Sequence, residues 1–395
     1  MKIKGSDKIS LKQSLDNYFE KNNEVSLDYL IEIINKFAKP EEKIFKRNKV
    51  SKKVVLYTTG AGNVIQGGAD IWVNNFLNYV WPSLPNNSNY KLLIDSKKPY
   101  EFKENSLPKG LEYHFHNDDP EKTKEWLGWC DDIVVLHSHY HKRPHIWHWE
   151  DKFKFIFIHA YPRDMKETID KIPELKRLQF STDVDVEFYD AYLQTFRKRC
   201  WIGLNDSEML YKNFPNYTYK LPNYYEFKQN KPLSNSIKNG RIGFAARAES
   251  RKCLHWMNPY TGYALTNSRD VINLRETTSY SLKKIRIYEW KPEDFNFFMN
   301  LDFGIFHGAY FKEPFGYSIF QAVDYGKLPI IHKDWAKEVD YKYRASTQNE
   351  FDKVYKMIMN DSQEIRQINF DNLKSYMKKF EYKTNWVSEV KKLIN

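Results

Sequence analysis

At 395 residues, 16% aromatic and 41% hydrophobic, the chain is long enough for two α/β domains with their own cores, and its composition excludes a disordered chain. The three widely spaced cysteines, Cys130, Cys200 and Cys253, exclude a disulfide framework, match no zinc spacing, and fit a reducing compartment. The net charge of +11, roughly +3 of it before residue 221 and about +8 after, suits nucleic acid, an anionic membrane surface or a phosphorylated small molecule, and equally a solvated basic surface.

The amino-terminal residues MKIKGSDKISLKQ have no apolar core, so a secretory signal is not expected. No apolar run approaches the roughly 20 residues of a spanning helix. The expected location is therefore the cytoplasm, with peripheral membrane contact left open. Residues 1–50 carry two helical patterns, Leu11 to Lys21 and Leu27 to Phe37, read as an extension of the first domain. Val54 to Tyr57 is the first buried strand. It enters a loop with Gly60, Gly62, Gly67 and Gly68, and an amphipathic helix begins at about Ala69. The glycine spacing is not GxGxxG, which argues against a dinucleotide fingerprint.

Strand signals recur at Tyr90 to Ile94, Leu111 to Phe115, Ile133 to His137, Phe153 to His159 and Arg199 to Gly203, with a helix at Glu121 to Trp129. The polar, proline-bearing stretch from residue 222 to 240 reads as a linker. A second series follows: strands at Arg241 to Ala245, Ile285 to Tyr288, Phe303 to Phe306 and Leu328 to Ile331, with a helix expected from about Arg251. Helices at Phe351 to Ile358, Gln363 to Phe380 and Asn385 to Ile394 close the chain. The alternation predicts an α/β protein with two doubly wound, Rossmann-like domains facing a central cleft. The expected division is 1–230, 231–375, and a final helix over 376–395 that packs back on the first domain.

The chain is organised around FKEPFGYSIFQAVDYGKLPIIHKDW, residues 311–335. A strand leads to Glu313 and Gly316, then to a helix ending at about Tyr325, and Gly326 precedes the next strand. That is a crossover unit whose loop lies at the carboxyl edge of a parallel sheet, where a helix start offers amide groups to an anion. Arg247 and Lys252, five residues apart beyond another strand end, are two fixed cations suited to a diphosphate and to the charge that grows on it as it leaves. Glu313 and Gln321, eight residues apart, span about 12 Å on a helix, enough for a sugar and a ribose.

These motifs resemble the GT-B glycosyltransferases, in particular the retaining class with an E-x7-E signature. That class carries G-R-L-x-x-x-K-G and E-G-F-G-x-x-x-x-E-A followed by G-x-P-V-I; this chain reads G-F-A-A-R-A-E-S-R-K and E-P-F-G-Y-S-I-F-Q-A-V-D-Y-G-K-L-P-I-I. The resemblance is strongest over residues 241–335 and weaker over 54–160; residues 251–300 depart from it, as an insertion would. It implies a metal-independent, retaining transfer from a nucleotide-diphosphate sugar, with uridine favoured and no further cofactor. By resemblance, Arg247, Lys252, Gly316, Tyr317 and Ser318 hold the diphosphate, and Glu313 orients the sugar. Gln321 meets the ribose, Gly67 and Gly68 close over the donor, and His159 at a strand end contacts the sugar near the reacting carbon. The family has a glutamate where this chain has Gln321, and an amide cannot accept from both ribose hydroxyls as a carboxylate does.

For the acceptor, the charge and the Lys-, Asn- and Tyr-rich composition resemble phage DNA glycosyltransferases, which implies double-stranded DNA with hydroxymethylated bases, in a host cytoplasm. A cell-surface polysaccharide or lipid acceptor is the alternative, and a non-catalytic GT-B binding protein is a third reading. Two local signals point elsewhere. His137, His139, His141, His145 and His148 suggest a metal, but no carboxylate or cysteine stands at matching spacing; Asp183-Val184-Asp185 matches a D-x-D that the two-domain pattern contradicts.

Overall fold

The structure, a computed structural model, describes residues 52–63, 68–137, 149, 151–159, 201–204, 218–248, 252–268, 271–272, 282–291, 294–309 and 315–394. The two helical patterns of residues 1–50 lie outside them.

The first half holds β1 (Val54–Thr58), α1 (Gly68–Asn75), β2 (Tyr90–Ile94), β3 (Glu112–Phe115), α2 (Pro120–Trp129), β4 (Asp132–His137), β5 (Phe153–Ile158), β6 (Trp201–Leu204) and β7 (Thr218–Lys220). The strands form one sheet in the order β3-β2-β1-β4-β5-β6-β7, and every pairing is parallel. β1 is buried at all five positions, as a central strand covered on both faces must be. Asp119 caps α2 by accepting from the Lys122 amide, and Pro120 occupies the first turn, where no donor is needed.

The second half holds β8 (Ile242–Ala245), β9 (Gly262–Thr266), β10 (Ile285–Glu289), α3 (Phe295–Met299), β11 (Ile305–Gly308), α4 (Tyr317–Asp324), β12 (Leu328–His332), β13 (Arg344–Ala345), α5 (Gln348–Asn360), α6 (Gln363–Lys378) and α7 (Lys383–Ile394). Its sheet runs β10-β9-β8-β11-β12-β13, again with parallel pairings. Residues 251–300, which read as an insertion, supply β9 and β10 and so complete one side of this sheet. β7 and the two-residue β13 escaped the sequence reading because they are short, and the five-residue β9 because it lies in the stretch read as an insertion.

The segment between β7 and β8 is fastened to α4 by Asp324, which is 2% exposed. Its carboxylate accepts from the amides of Lys228 (3.1 Å), Gln229 (3.0 Å) and Asn230 (2.6 Å), and from the Tyr225 hydroxyl (3.3 Å). Gly326 follows with φ +73°, and a Cβ there would stand 2.0 Å from the Pro232 carbonyl oxygen, so only glycine lets the two segments approach.

The carboxyl-terminal helix α7 lies against β5, with Lys154 donating to the Ile394 carbonyl. Trp72 of α1 and Trp386 of α7 both donate their indole N–H to the Pro222 carbonyl at 3.0 Å. One buried core extends from Trp72, Phe76 and Phe157 through Tyr224 and Trp386 to Phe315 and Phe320.

Candidate functional site

In each sheet the strand order reverses once, at β1/β4 and at β8/β11. Loops leaving adjacent strands at such a point diverge and open a crevice at the carboxyl edge. In the second sheet, Ile242 and Gly243 of β8 face Ile305 and Phe306 of β11, so the loops after Ala245 and Gly308 leave side by side. The first carries Arg247 and Lys252, and the second leads to Gly316 and α4. Arg247 is exposed and Lys252 half-buried.

Gly316 caps α4 with φ +76°, a left-handed turn that glycine adopts without strain, and its carbonyl accepts from the Ile319 (2.8 Å) and Phe320 (3.2 Å) amides. The amides at the start of a helix have no intrahelical acceptor and favour an anion. Six of the eight α4 residues are buried; Ser318 and Gln321, three apart and so on one face, are half-buried. Tyr317 is buried, and its hydroxyl donates to the Tyr224 carbonyl at 3.3 Å. Glu313 lies outside the described residues, as does Gly67.

At the matching point of the first sheet, Gly62 is held to α1 by Asn74, which accepts from its amide (2.8 Å) and donates to its carbonyl (2.7 Å). Gly68 begins α1 and meets Tyr317: a Cβ on Gly68 would lie 3.1 Å from Tyr317 Cδ2. The starts of α1 and α4, one from each sheet, therefore stand against each other.

His137 ends β4. Its Nδ1 lies 3.0 Å from Thr59 Oγ1 and 3.3 Å from Asp70 Oδ1, and the side chain of Asp70 is 5% exposed. A carboxylate only accepts, so Nδ1 carries the proton. His159 follows β5, with its ring 5.5 Å from that of His137 and 5.2 Å from Trp72. Its Nε2 donates to the Leu136 carbonyl at 2.8 Å. Burial, reinforced by His137 nearby, pushes the His159 imidazole down to about 3, so it is neutral at physiological pH.

Sequence reasoning weighed His137 only as part of a histidine cluster, set a metal aside, and missed its partners Asp70 in α1 and Thr59 after β1. The signal was present in part: Asp70 is an acid in the first turn of α1, directly after the glycine loop. Among the described residues no group of three or more histidines, cysteines and carboxylates could hold a metal. The other histidines of that cluster, Asp183 and Asp185 lie outside the described residues. Among those described, no helix is long and apolar enough to cross a membrane.

The loop after β8 departs from expectation. In place of a helix from about Arg251, residues Leu254–Met257 form a single 3-10 turn. So short a turn offers little helix dipole, and the charge this loop carries is that of the Arg247 and Lys252 side chains.

No protein-family model matches the sequence, and no curated protein matches it in sequence. Several solved structures match in three dimensions. Sucrose-phosphate synthase from Thermosynechococcus elongatus is 10% identical with a TM-score of 0.59, over 86% of this chain and 97% of that one. S. aureus TarM, solved with fondaparinux, alpha-GlcNAc-glycerol and UDP, is 7% identical with a TM-score of 0.57, over 87% and 100%. WaaG, a glycosyltransferase involved in lipopolysaccharide biosynthesis, is 13% identical with a TM-score of 0.54, over 86% and 99%. At these identities the likeness is one of fold, and the fold of this chain is GT-B, two Rossmann-like parallel-sheet domains in contact at the carboxyl edges of their sheets.

Proposed function

We propose that this chain is a glycosyltransferase that moves a sugar from a nucleotide-diphosphate sugar to a hydroxyl acceptor. The observation that carries the reading is the second switch point. There the start of α4 at Gly316, with Ser318 and Gln321 on its less buried face, emerges beside the loop bearing Arg247 and Lys252. Two cations and a helix start at one sheet edge suit a diphosphate. The start of α1 stands opposite, against Tyr317, where it would cover the sugar.

In the proposed reaction the acceptor oxygen bonds to the anomeric carbon while the bond from that carbon to the diphosphate oxygen breaks. The acceptor proton passes to the departing diphosphate, whose charge Arg247 and Lys252 hold. Attack on the face the diphosphate leaves gives retention, in keeping with the E-x7-E-like motif. Glu313 would orient the sugar, His159 would contact it as a neutral imidazole, and Gln321 would meet the ribose. Residues 1–230 would serve the acceptor and residues 231–375 the donor. UDP is favoured as the carrier, since S. aureus TarM was solved with it.

The acceptor proposed is duplex DNA with hydroxymethylated bases, on the compositional resemblance to phage DNA glycosyltransferases; the net charge of +11 is compatible with a DNA backbone. The test offers UDP-, GDP-, ADP- and CDP-sugars with hydroxymethylated duplex, plain duplex and lipid-linked glycan acceptors, and weighs the products. A mass gain of one sugar on the hydroxymethylated duplex supports the full reading. A gain on the glycan alone keeps the enzyme and replaces the acceptor, and donor consumption with none of the twelve pairings sinks the enzymatic reading.

A further inference from the structure

The loop after β8 has no long helix to aim its cations, so the direction of Lys252 depends on the turn that follows it. Cys253 opens that turn with φ +55°, a left-handed conformation that a residue with a Cβ adopts only when its surroundings hold it there. Cys253 is completely buried, and its carbonyl accepts a hydrogen bond from Nε2 of His307 at 3.0 Å. A carbonyl only accepts, so Nε2 carries the proton.

His307 is on β11, the strand that leads towards Gly316. It is wholly buried, with its ring 5.6 Å from Phe244, 5.8 Å from Trp256 in a stacked arrangement, and 4.7 Å from Phe351. From the other side, Gln348 of α5 donates to the Trp256 carbonyl at 3.0 Å. The turn is thus gripped by the strand that delivers the other half of the anion site.

We infer that His307 is a positioning residue for diphosphate binding. Its hydrogen bond to the Cys253 carbonyl holds the left-handed turn next to Lys252 and thereby sets where the ammonium group meets the phosphates. The inference rests on the proposed function, because it takes a diphosphate as the ligand of Lys252. Burial keeps the His307 imidazole neutral, pushed down to about 3, so the same donor is present across the physiological range.

The test is calorimetric titration of UDP, GDP, ADP and CDP into the full chain, wild type and His307→Phe, His307→Gln, Lys252→Ala and the His307→Phe/Lys252→Ala double variant. Phenylalanine keeps a ring in the stack without a donor, and glutamine restores an N–H of similar reach. For the nucleotide that the wild type binds, His307→Phe should weaken affinity roughly tenfold, and His307→Gln should stay within about threefold. Adding His307→Phe to Lys252→Ala should cost nothing further, since the two changes remove the same contact. If His307→Phe fails to fold by circular dichroism, His307→Asn, whose amide is too short to reach Cys253, takes its place. Unchanged affinity, or a loss that persists in full without Lys252, overturns this inference alone. A wild type that binds none of the four nucleotides overturns the donor site and this inference with it.

Discussion

Gly68 and Tyr317 touch across the two sheets, with the position a Cβ would take on Gly68 only 3.1 Å from Tyr317 Cδ2. Tyr317 has little room to yield: it is 7% exposed, its ring packs against Phe315 at 4.8 Å, and its hydroxyl is bonded to the Tyr224 carbonyl. Alanine at position 68 asks the ring to give by a few tenths of an ångström, while valine asks for far more. Gly68→Val should therefore cost about 1–3 kcal/mol of stability and raise the donor KM more than Gly68→Ala does. Thermal melts and donor titrations of both variants check this; equal donor KM values would remove the α1 start from the donor site.

Gln321 lies on the half-buried face of α4 with Ser318. If the ribose sits there, Gln321→Glu supplies a second acceptor oxygen and a charge-assisted hydrogen bond. Nucleoside diphosphate binding should tighten by roughly fivefold, about 1 kcal/mol, while the corresponding 2′,3′-dideoxy nucleotide should gain nothing. An equal gain for both nucleotides would place the ribose elsewhere.

Asp324 holds the interdomain segment through the amides of Lys228, Gln229 and Asn230. Asp324→Ala leaves these donors without their acceptor. It should destabilise the protein by about 3 kcal/mol, read from urea denaturation at pH 7. Asp324→Asn should fall between the two, since it keeps one acceptor oxygen and loses the charge. A loss well under 1 kcal/mol in the alanine variant would show that the segment is held by other contacts.

Acid should weaken the fold through His159 and His307. Both are pushed down to about 3 from the ordinary histidine value of 6.5, with burial as the leading cause. As the pH falls below about 6.5 the unfolded chain takes up protons that the folded chain refuses. Their contribution is therefore complete above that pH and is lost progressively towards pH 3, at about 1 kcal/mol per histidine per pH unit. Urea midpoints at pH 7, 6 and 5 should decline along this slope, and His307→Phe should flatten it. An identical slope in that variant would assign the acid sensitivity to other groups.

The positions of most strands in both sheets were legible because a strand covered on two faces is largely apolar. Val54 to Thr58 and Leu328 to His332, buried at every position, announce themselves in that way. The cap and end of α4 were readable from Gly316 and Gly326 for a comparable local reason, since both take φ values that favour glycine. The helix expected at Arg251 was not so constrained. There, local propensity yielded to the tertiary grip of His307 on Cys253 and of Gln348 on Trp256, and a 3-10 turn resulted.

By itself, then, the sequence determined most of the strands, the two ends of α4 and the pair of cations at Arg247 and Lys252, because hydrophobic period and glycine stereochemistry act over a few residues. Only the tertiary structure decided which of these meet. It set Asp70 against His137, 67 positions later in the chain, gave His159 a neutral ring through burial, and put Gly68 against Tyr317. Those outcomes depend on strand order and on the removal of water, neither of which is a property of any short stretch of residues.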